Sequence, residues 1–431
     1  MVMTAAKGLK TMGIIKPLSQ FRSYSKNIRN ILIWNAIFCF GLGIHLVLYN
    51  LFLQGIVHDE VIVGKILGLN FLAQAMIYIP AGLFSDRVGS RKAVIAGVSV
   101  FIVALAGHLF ASTPGELSIW GFIVGLGHAA SIVSFVPLLT EYSTPFERKD
   151  LFTFAFSTGT FFTFLGTLLG GILSDSFEAI FQWTQIFSIR ITFICTILLL
   201  MLCTLPLFLV KESKKQRMER QNQRSILSIL KNNPRAFIPI AQFSLSKALA
   251  GISLGIITPF MNLFFLHKFS LSPSKISLIL AGGTLATVWF MSFNSNVTKK
   301  ISEVKTVSLY HILSIPSILF LGITQNIWMA AMAYILFRST KFALNPIESK
   351  IMMEKVEPEM RGLANSFGFM TNSLCISMLG PLAMYIVQVA GNQQGYFLLC
   401  LISAVGSLIV SSYFLFAFGE KKDYVAKKLS V

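Results

Sequence analysis

Apolar stretches of 18 or more residues recur along the whole chain, separated by short polar clusters. Each is long enough to cross a hydrocarbon core of roughly 30 Å as a helix. A helix is the form that satisfies its own backbone there, so the chain is expected to be all-α and to span a membrane. Composition agrees. Charged residues make up 13% of the 431, and phenylalanine alone occurs 39 times, whereas soluble chains carry about 25% charge. The periodicity predicts spans over 30–53, 61–83, 93–111, 117–139, 151–173, 187–210, 236–266, 274–297, 304–323, 327–347, 362–389 and 395–418.

The net charge of +18 is explained by where it lies, and no nucleic-acid partner is expected. One set of connections is basic. It comprises residues 1–29, the turn with Arg87, Arg91 and Lys92, the turn with Arg148 and Lys149, residues 211–235, the turns around Lys299 and Arg361, and residues 419–431. The alternate set is short and almost free of Lys and Arg, with Lys268 and Lys275 as its main exceptions. By the positive-inside rule both termini are expected on the cytoplasmic side. Residues 30–210 and 236–418 then form two six-span halves. Residues 211–235 form a cytoplasmic linker, and the excess charge adds an attraction to anionic membrane lipids. The first 29 residues lack an apolar core, so no cleaved leader is expected. Outward turns free of N-glycosylation sites fit a bacterial inner membrane.

The two halves look duplicated. Leu42-Gly43-Ile44 with Asn50-Leu51-Phe52 reappears as Leu254-Gly255-Ile256 with Asn262-Leu263-Phe264. Glu141, Pro145, Arg148 and Phe154 reappear 213 residues later as Glu354, Pro358, Arg361 and Phe367. Parallel six-span repeats place a binding site near the midplane between them.

Between the second and third spans stands GLFSDRVGSRK, residues 82–92. With Gly82, Asp86, Arg87, Gly89, Arg91 and Lys92 in place, this loop resembles the signature of the major facilitator superfamily of twelve-span secondary transporters. The resemblance implies two six-helix bundles and alternating access. It also implies that Asp86 latches the halves, with Arg148 and the start of the eleventh span as partners. Arg87, Gly89, Arg91, Glu141, Glu348 and Arg361 are the other expected gating positions. The fifth span has Gly159, Gly166, Gly170 and Gly171 but no proline, which reads as close helix packing.

In that family spans one, four, seven and ten line the cavity, so their polar residues are the candidates. A charge inside the membrane is costly and needs a reason. Lys247 lies roughly 15 Å into the seventh span at about 1.5 Å per residue. Arg338 is comparably deep in the tenth, with Lys341, Asn345 and Glu348 following on one face. His45 and Tyr49 share a face of the first span, His128 sits on the fourth, and Asn262 on the seventh. Two or three buried cations predict an anionic substrate, a carboxylate or phosphate, with Arg338 making a forked contact and Lys247 a point charge. The competing structural reading pairs Arg338 or Lys341 with a carboxylate such as Glu348. His45 and His128 titrate near neutrality and are candidates for protons as a coupling ion. No phosphate-cradling loop, nucleophile motif or spaced metal ligands appear, so neither enzyme activity nor a cofactor is expected. The five cysteines lie inside spans. A monomer is expected. The alternatives are an exporter or flippase of lipophilic or lipid-like compounds, and a transport-dead sensor in the same fold.

Overall fold

In the computed structural model, residues 20–144, 146–211, 237–357 and 360–419 are described. The expected linker, most of the N-terminal segment, Pro145, Pro358 and nearly all of the C-terminal tail lie outside them. The first six helices are α1 (Lys26–Val57), α2 (Glu60–Val88), α3 (Ser90–Phe110), α4 (Pro114–Tyr142), α5 (Arg148–Phe181) and α6 (Gln185–Phe208). The second half holds α7 (Phe237–Gly255), a short 3-10 turn at Thr258–Phe260, α8 (Met261–Phe269), α9 (Pro273–Lys300), α10 (Glu303–Ile323), α11 (Ile327–Phe342), α12 (Asn345–Lys355) and α13 (Arg361–Phe418). The protein is an all-helical, multi-pass membrane protein with two six-helix bundles. Among the described residues, ten helices or helix pairs meet the length and hydropathy for crossing a membrane. The 58-residue α13 contains two spans, joined at Gly391, whose φ of 79° is accessible to glycine. The tenth span is α11 and α12 together.

Helix starts follow the polar turns. Ser25 accepts from the Ile28 amide, Asp59 from Ile62 and Asn326 from Trp328 and Met329. Thr113 and Glu116 form a reciprocal capping box, which satisfies amides that have no partner within the helix.

Two predicted spans are interrupted. The seventh, read as continuous over 236–266, breaks between Gly255 and Met261 around Pro259, which has no amide proton to continue the ladder. The tenth breaks at Ala343 and Leu344, just before Pro346.

Small residues set the helix spacing, as their pattern predicts. A Cβ on Gly166 would lie 1.9 Å from the Phe40 carbonyl oxygen, and one on Gly43 2.3 Å from that of Thr163, so α1 and α5 touch backbone to backbone. The same device joins the bundles. Gly64 of α2 faces the Gly380 carbonyl of α13, Gly68 faces Ser377 and Pro381, and Gly171 of α5 faces the Pro273 carbonyl of α9.

Candidate functional site

The face carrying Arg87, Arg91, Arg148 and Arg361 is called the basic face, and the other the distal face. Between them, inside the second bundle, four helices bring charged groups together. Lys247 of α7 is ion-paired to Glu348 of α12. Its aliphatic stem lies against Gly368, and its ammonium is 5.4 Å from the Phe243 ring centre. Its side chain keeps 20% of its exposure, whereas that of Glu348 keeps 6%. The other carboxylate oxygen of Glu348 faces His311 Nε2 of α10 at 3.8 Å. His311 Nδ1 lies 2.9 Å from Lys341 Nζ of α11. Lys341 also donates to Ser253 Oγ at 3.0 Å and Ser407 Oγ at 2.7 Å. Lysine, glutamate, histidine and lysine therefore form one chain of contacts, and Lys341, at 3% exposure, is its buried end.

Sequence reasoning set Lys247 and Lys341 among the buried cations and offered Glu348 either as a partner of Arg338 or Lys341 or as a gating residue, not as the partner of Lys247. It missed His311, because the ninth span was not counted among the cavity-lining ones. A histidine in the middle of an apolar span was the available signal. Arg338 is directed elsewhere. Its side chain packs on Gly283 of α9, its guanidinium stands 4.7 Å over the Phe342 ring, and its Nε is buried with no hydrogen-bond partner. The expected single face through Asn345 is interrupted by the break after Phe342, and Asn345 is exposed at the start of α12.

The first bundle holds a cluster of neutral polar groups. His45 and Tyr49 stack with ring centres 4.5 Å apart, and Tyr49 Oη meets His108 Nε2 at 3.1 Å. The Phe101 ring lies between His45 and His128, 5.6 and 6.1 Å away. His108, on the third span, was also outside the sequence reading.

Interbundle hydrogen bonds gather toward the distal face. Asn50 Nδ2 donates to Asn262 Oδ1 at 2.9 Å and to the Pro259 carbonyl, while Asn262 Nδ2 donates to the Val47 carbonyl at 3.1 Å. Asn262, read as a substrate contact, is thus engaged between the bundles. Asp175 of α5 accepts from both the amide and the hydroxyl of Ser274, capping α9 from the opposite bundle. Glu60 faces His267 Nδ1 at 3.8 Å, and His267 contacts Tyr396 Oη at 3.1 Å.

At the basic face the signature loop ties helix ends. Gly89, at φ 106°, links α2 to α3 directly. Ser90 Oγ donates to Glu141 at 2.6 Å, and Arg91 donates to the carbonyls of Leu207 and Phe208 at 2.8 and 3.0 Å, closing the end of α6. Asp86 and Arg87 are exposed on the last turn of α2. Nearby, a Cβ on Gly82 would lie 3.6 Å from Ser366 Oγ, and Tyr78 stacks on Phe369 at 5.4 Å, so this end of α2 abuts the start of the eleventh span. Arg148 donates to the Thr140 carbonyl at 3.3 Å and Arg361 to the Met353 carbonyl at 2.6 Å.

Comparison with known proteins places this arrangement. The chain is 33% identical over 109 residues to the inner membrane transport protein YajR of Escherichia coli, covering 25% of this chain and 22% of that one. It is 28% identical over 111 residues to a gallate transporter of Pseudomonas putida, covering 26% and 24%. The aligned part thus spans about a quarter of these relatives. Among solved structures, the nucleoside transporter NupG superposes with a TM-score of 0.71 at 15% identity, over 92% of this chain and 100% of that one. A D-xylose-proton symporter gives 0.73 at 14%, over 90% and 96%. A bacterial homologue of the lysosomal transporter Spinster, in an inward-facing and unoccupied conformation, gives 0.70 at 14%, over 92% and 97%. These likenesses speak for the fold. The profile of the Major Facilitator Superfamily matches residues 31–248 and again 243–429. With both halves matched, the chain belongs to the major facilitator superfamily of transporters.

Proposed function

We propose that this protein is a secondary active transporter that moves a small organic anion, a carboxylate or phosphate, across a bacterial inner membrane by alternating access. Residues 30–210 and 236–418 are the rocking units. The basic face, with both tails and the 211–235 linker, lies in the cytoplasm, as the positive-inside rule requires. The observation that carries the reading is the charge balance around Lys247. Among the described residues, that contact chain holds two lysines and one carboxylate. Lys341 is enclosed by Ser253, Ser407 and His311, while Lys247 stays partly open. A partly open ammonium backed by a second buried cation favours an anion. The gallate transporter among the relatives names a carboxylate as its cargo. Arg338, with an unpartnered buried Nε, is a third cation, held on the face of α11 that packs against α9.

The test is uptake by the purified protein in proteoliposomes, screened with gallate, benzoate, succinate, citrate and inorganic phosphate. A lipophilic cation and a labelled phospholipid serve as the opposing arm. Saturable uptake of at least one anion supports the reading. Transport of the lipophilic probes alone replaces it with the exporter or flippase reading.

A further inference from the structure

We propose that Glu348 carries the coupling proton of this transporter, and that His311 is a positioning residue which Lys341 holds in one tautomer. The inference rests on the anion reading above and assigns the proton to a residue that the sequence had placed at a gate.

The argument begins with accessibility. Lys247 is the end of the contact chain that keeps exposure, and its ammonium is already occupied by Glu348. An incoming carboxylate has to use the same ammonium. Two carboxylates crowded onto one site do not both remain ionised, and one takes a proton. The exchange balances as follows. The contact between Lys247 Nζ and Glu348 Oε2 is lost, and one between Lys247 Nζ and the anion forms. A proton from the aqueous side bonds to the freed Oε2. One negative and one positive charge enter together, so the anion takes over from Glu348 as the counterion of Lys247 and no carboxylate is left ionised without a partner.

The remaining contacts indicate why the proton goes to Glu348. An ammonium has donors and no lone pair, so His311 Nδ1 accepts from Lys341 at 2.9 Å. The ring's single proton then sits on Nε2, aimed at Glu348 Oε1 at 3.8 Å. With its one lone pair accepting from Lys341, His311 has none left to take the proton. The groups facing Glu348 are Lys247 from α7, His311 from α10 and Lys341 from α11. Neighbouring α13 adds Ser403 and Ser407, which are neutral. On its own helix, Lys350 and Glu354 point to the basic end, where Lys350 pairs with Glu303. No second carboxylate reaches this chain of contacts among the described residues.

The experiment is calorimetric titration of the purified protein with the same five anions, in two buffers of different ionisation enthalpy, which yields protons taken up per anion bound. Wild type is expected to take up close to one. Glu348→Gln is expected to bind the anion as tightly or more tightly, since the competitor is gone, with proton uptake near zero. An infrared difference spectrum of wild type, which needs no variant to fold, is expected to gain a protonated-carboxyl band when the anion is added. His311→Phe, which removes the Nε2–H facing Glu348, is expected to shift the pH dependence of proton uptake, and His311→Gln to restore it. Anion binding without proton uptake, or uptake unchanged in Glu348→Gln, overturns this assignment and leaves the anion reading standing. If none of the five anions binds, the anion reading itself fails and this inference falls with it.

Discussion

Asn50 and Asn262 occupy the same position in the two sequence repeats, and they hydrogen-bond to each other across the interface between the bundles. The exchange is reciprocal. Asn50 donates to the Pro259 carbonyl and Asn262 to that of Val47, residues again related by the repeat. The duplication thus produces a self-complementary contact, as an isologous dimer interface does. The basic face repeats the theme, because Arg148 to Thr140 and Arg361 to Met353 are the same contact made twice, 213 residues apart.

If the bundles rock about a central site as proposed, this contact has to break for the distal side to open. Hydrogen bonds between membrane helices are worth about 0.6 to 1.7 kcal/mol. Asn50→Ala is therefore expected to shift the equilibrium several-fold toward the distal-open state. The measurement is labelling of a cysteine placed at Gln54 by a membrane-impermeant maleimide, which should speed up. The two side chains share one hydrogen bond and each makes one more to the opposite backbone, so Asn50→Ala with Asn262→Ala should label faster than either alone but by less than the product of the two single effects.

Removing Lys247 leaves Glu348 buried without its counterion. Breaking a buried pair from one side costs about 3–5 kcal/mol. Lys247→Ala is expected to abolish anion uptake and to lower the unfolding temperature in detergent. The double variant Lys247→Ala, Glu348→Gln should recover much of the thermal stability and none of the uptake. Arg338→Ala should also lose uptake, but with little effect on stability, since no carboxylate depends on it. Normal uptake in both single variants would end the anion hypothesis.

If Glu348 carries the proton, the first-bundle imidazoles do not. His45→Gln and His128→Gln should keep one proton per anion and an unaltered dependence of uptake on a pH gradient, measured in proteoliposomes. Loss of the gradient dependence in either would move the coupling site to the other bundle.

The seam between α2 and α13 admits no side chain at Gly64. Gly64→Leu should prevent the approach to Gly380, where even a Cβ would sit 2.7 Å from the carbonyl oxygen. Overpacking of this kind costs about 1–3 kcal/mol. Turnover should fall sharply, while Gly82→Ala, with 3.6 Å of room, should be tolerated. Asp86→Asn, on the same helix, should slow turnover more than it weakens the Michaelis constant for uptake.

The sequence made the architecture legible because hydrocarbon imposes one secondary structure and positive charge marks every second turn. The duplication was equally plain, and it even aligned the two asparagines that meet. Which buried charge faces which could not be read from helical periodicity. Lys341 and Glu348 share a face on an ideal helix, but the break at Ala343 and Leu344 turns α12, and it is α7 that delivers the lysine Glu348 uses. Arg338 looked like the partner of Lys247, yet its pocket is set by Gly283 on a helix distant in sequence. His311 and His108 were missed for a related reason. Both lie on spans taken to be peripheral, and only packing reveals that their rings turn inward.

The interruption at Pro259 divides the labour of the seventh span. Lys247 stands on the longer rod and Asn262 on the shorter, with a few residues of non-α backbone between them. If Lys247 binds the anion as proposed, the shorter rod is free to tilt at the distal end while the longer one keeps its grip on cargo. Sealing and gripping would then be two consecutive events, with an occluded intermediate, shut at both ends with its passenger inside, between them.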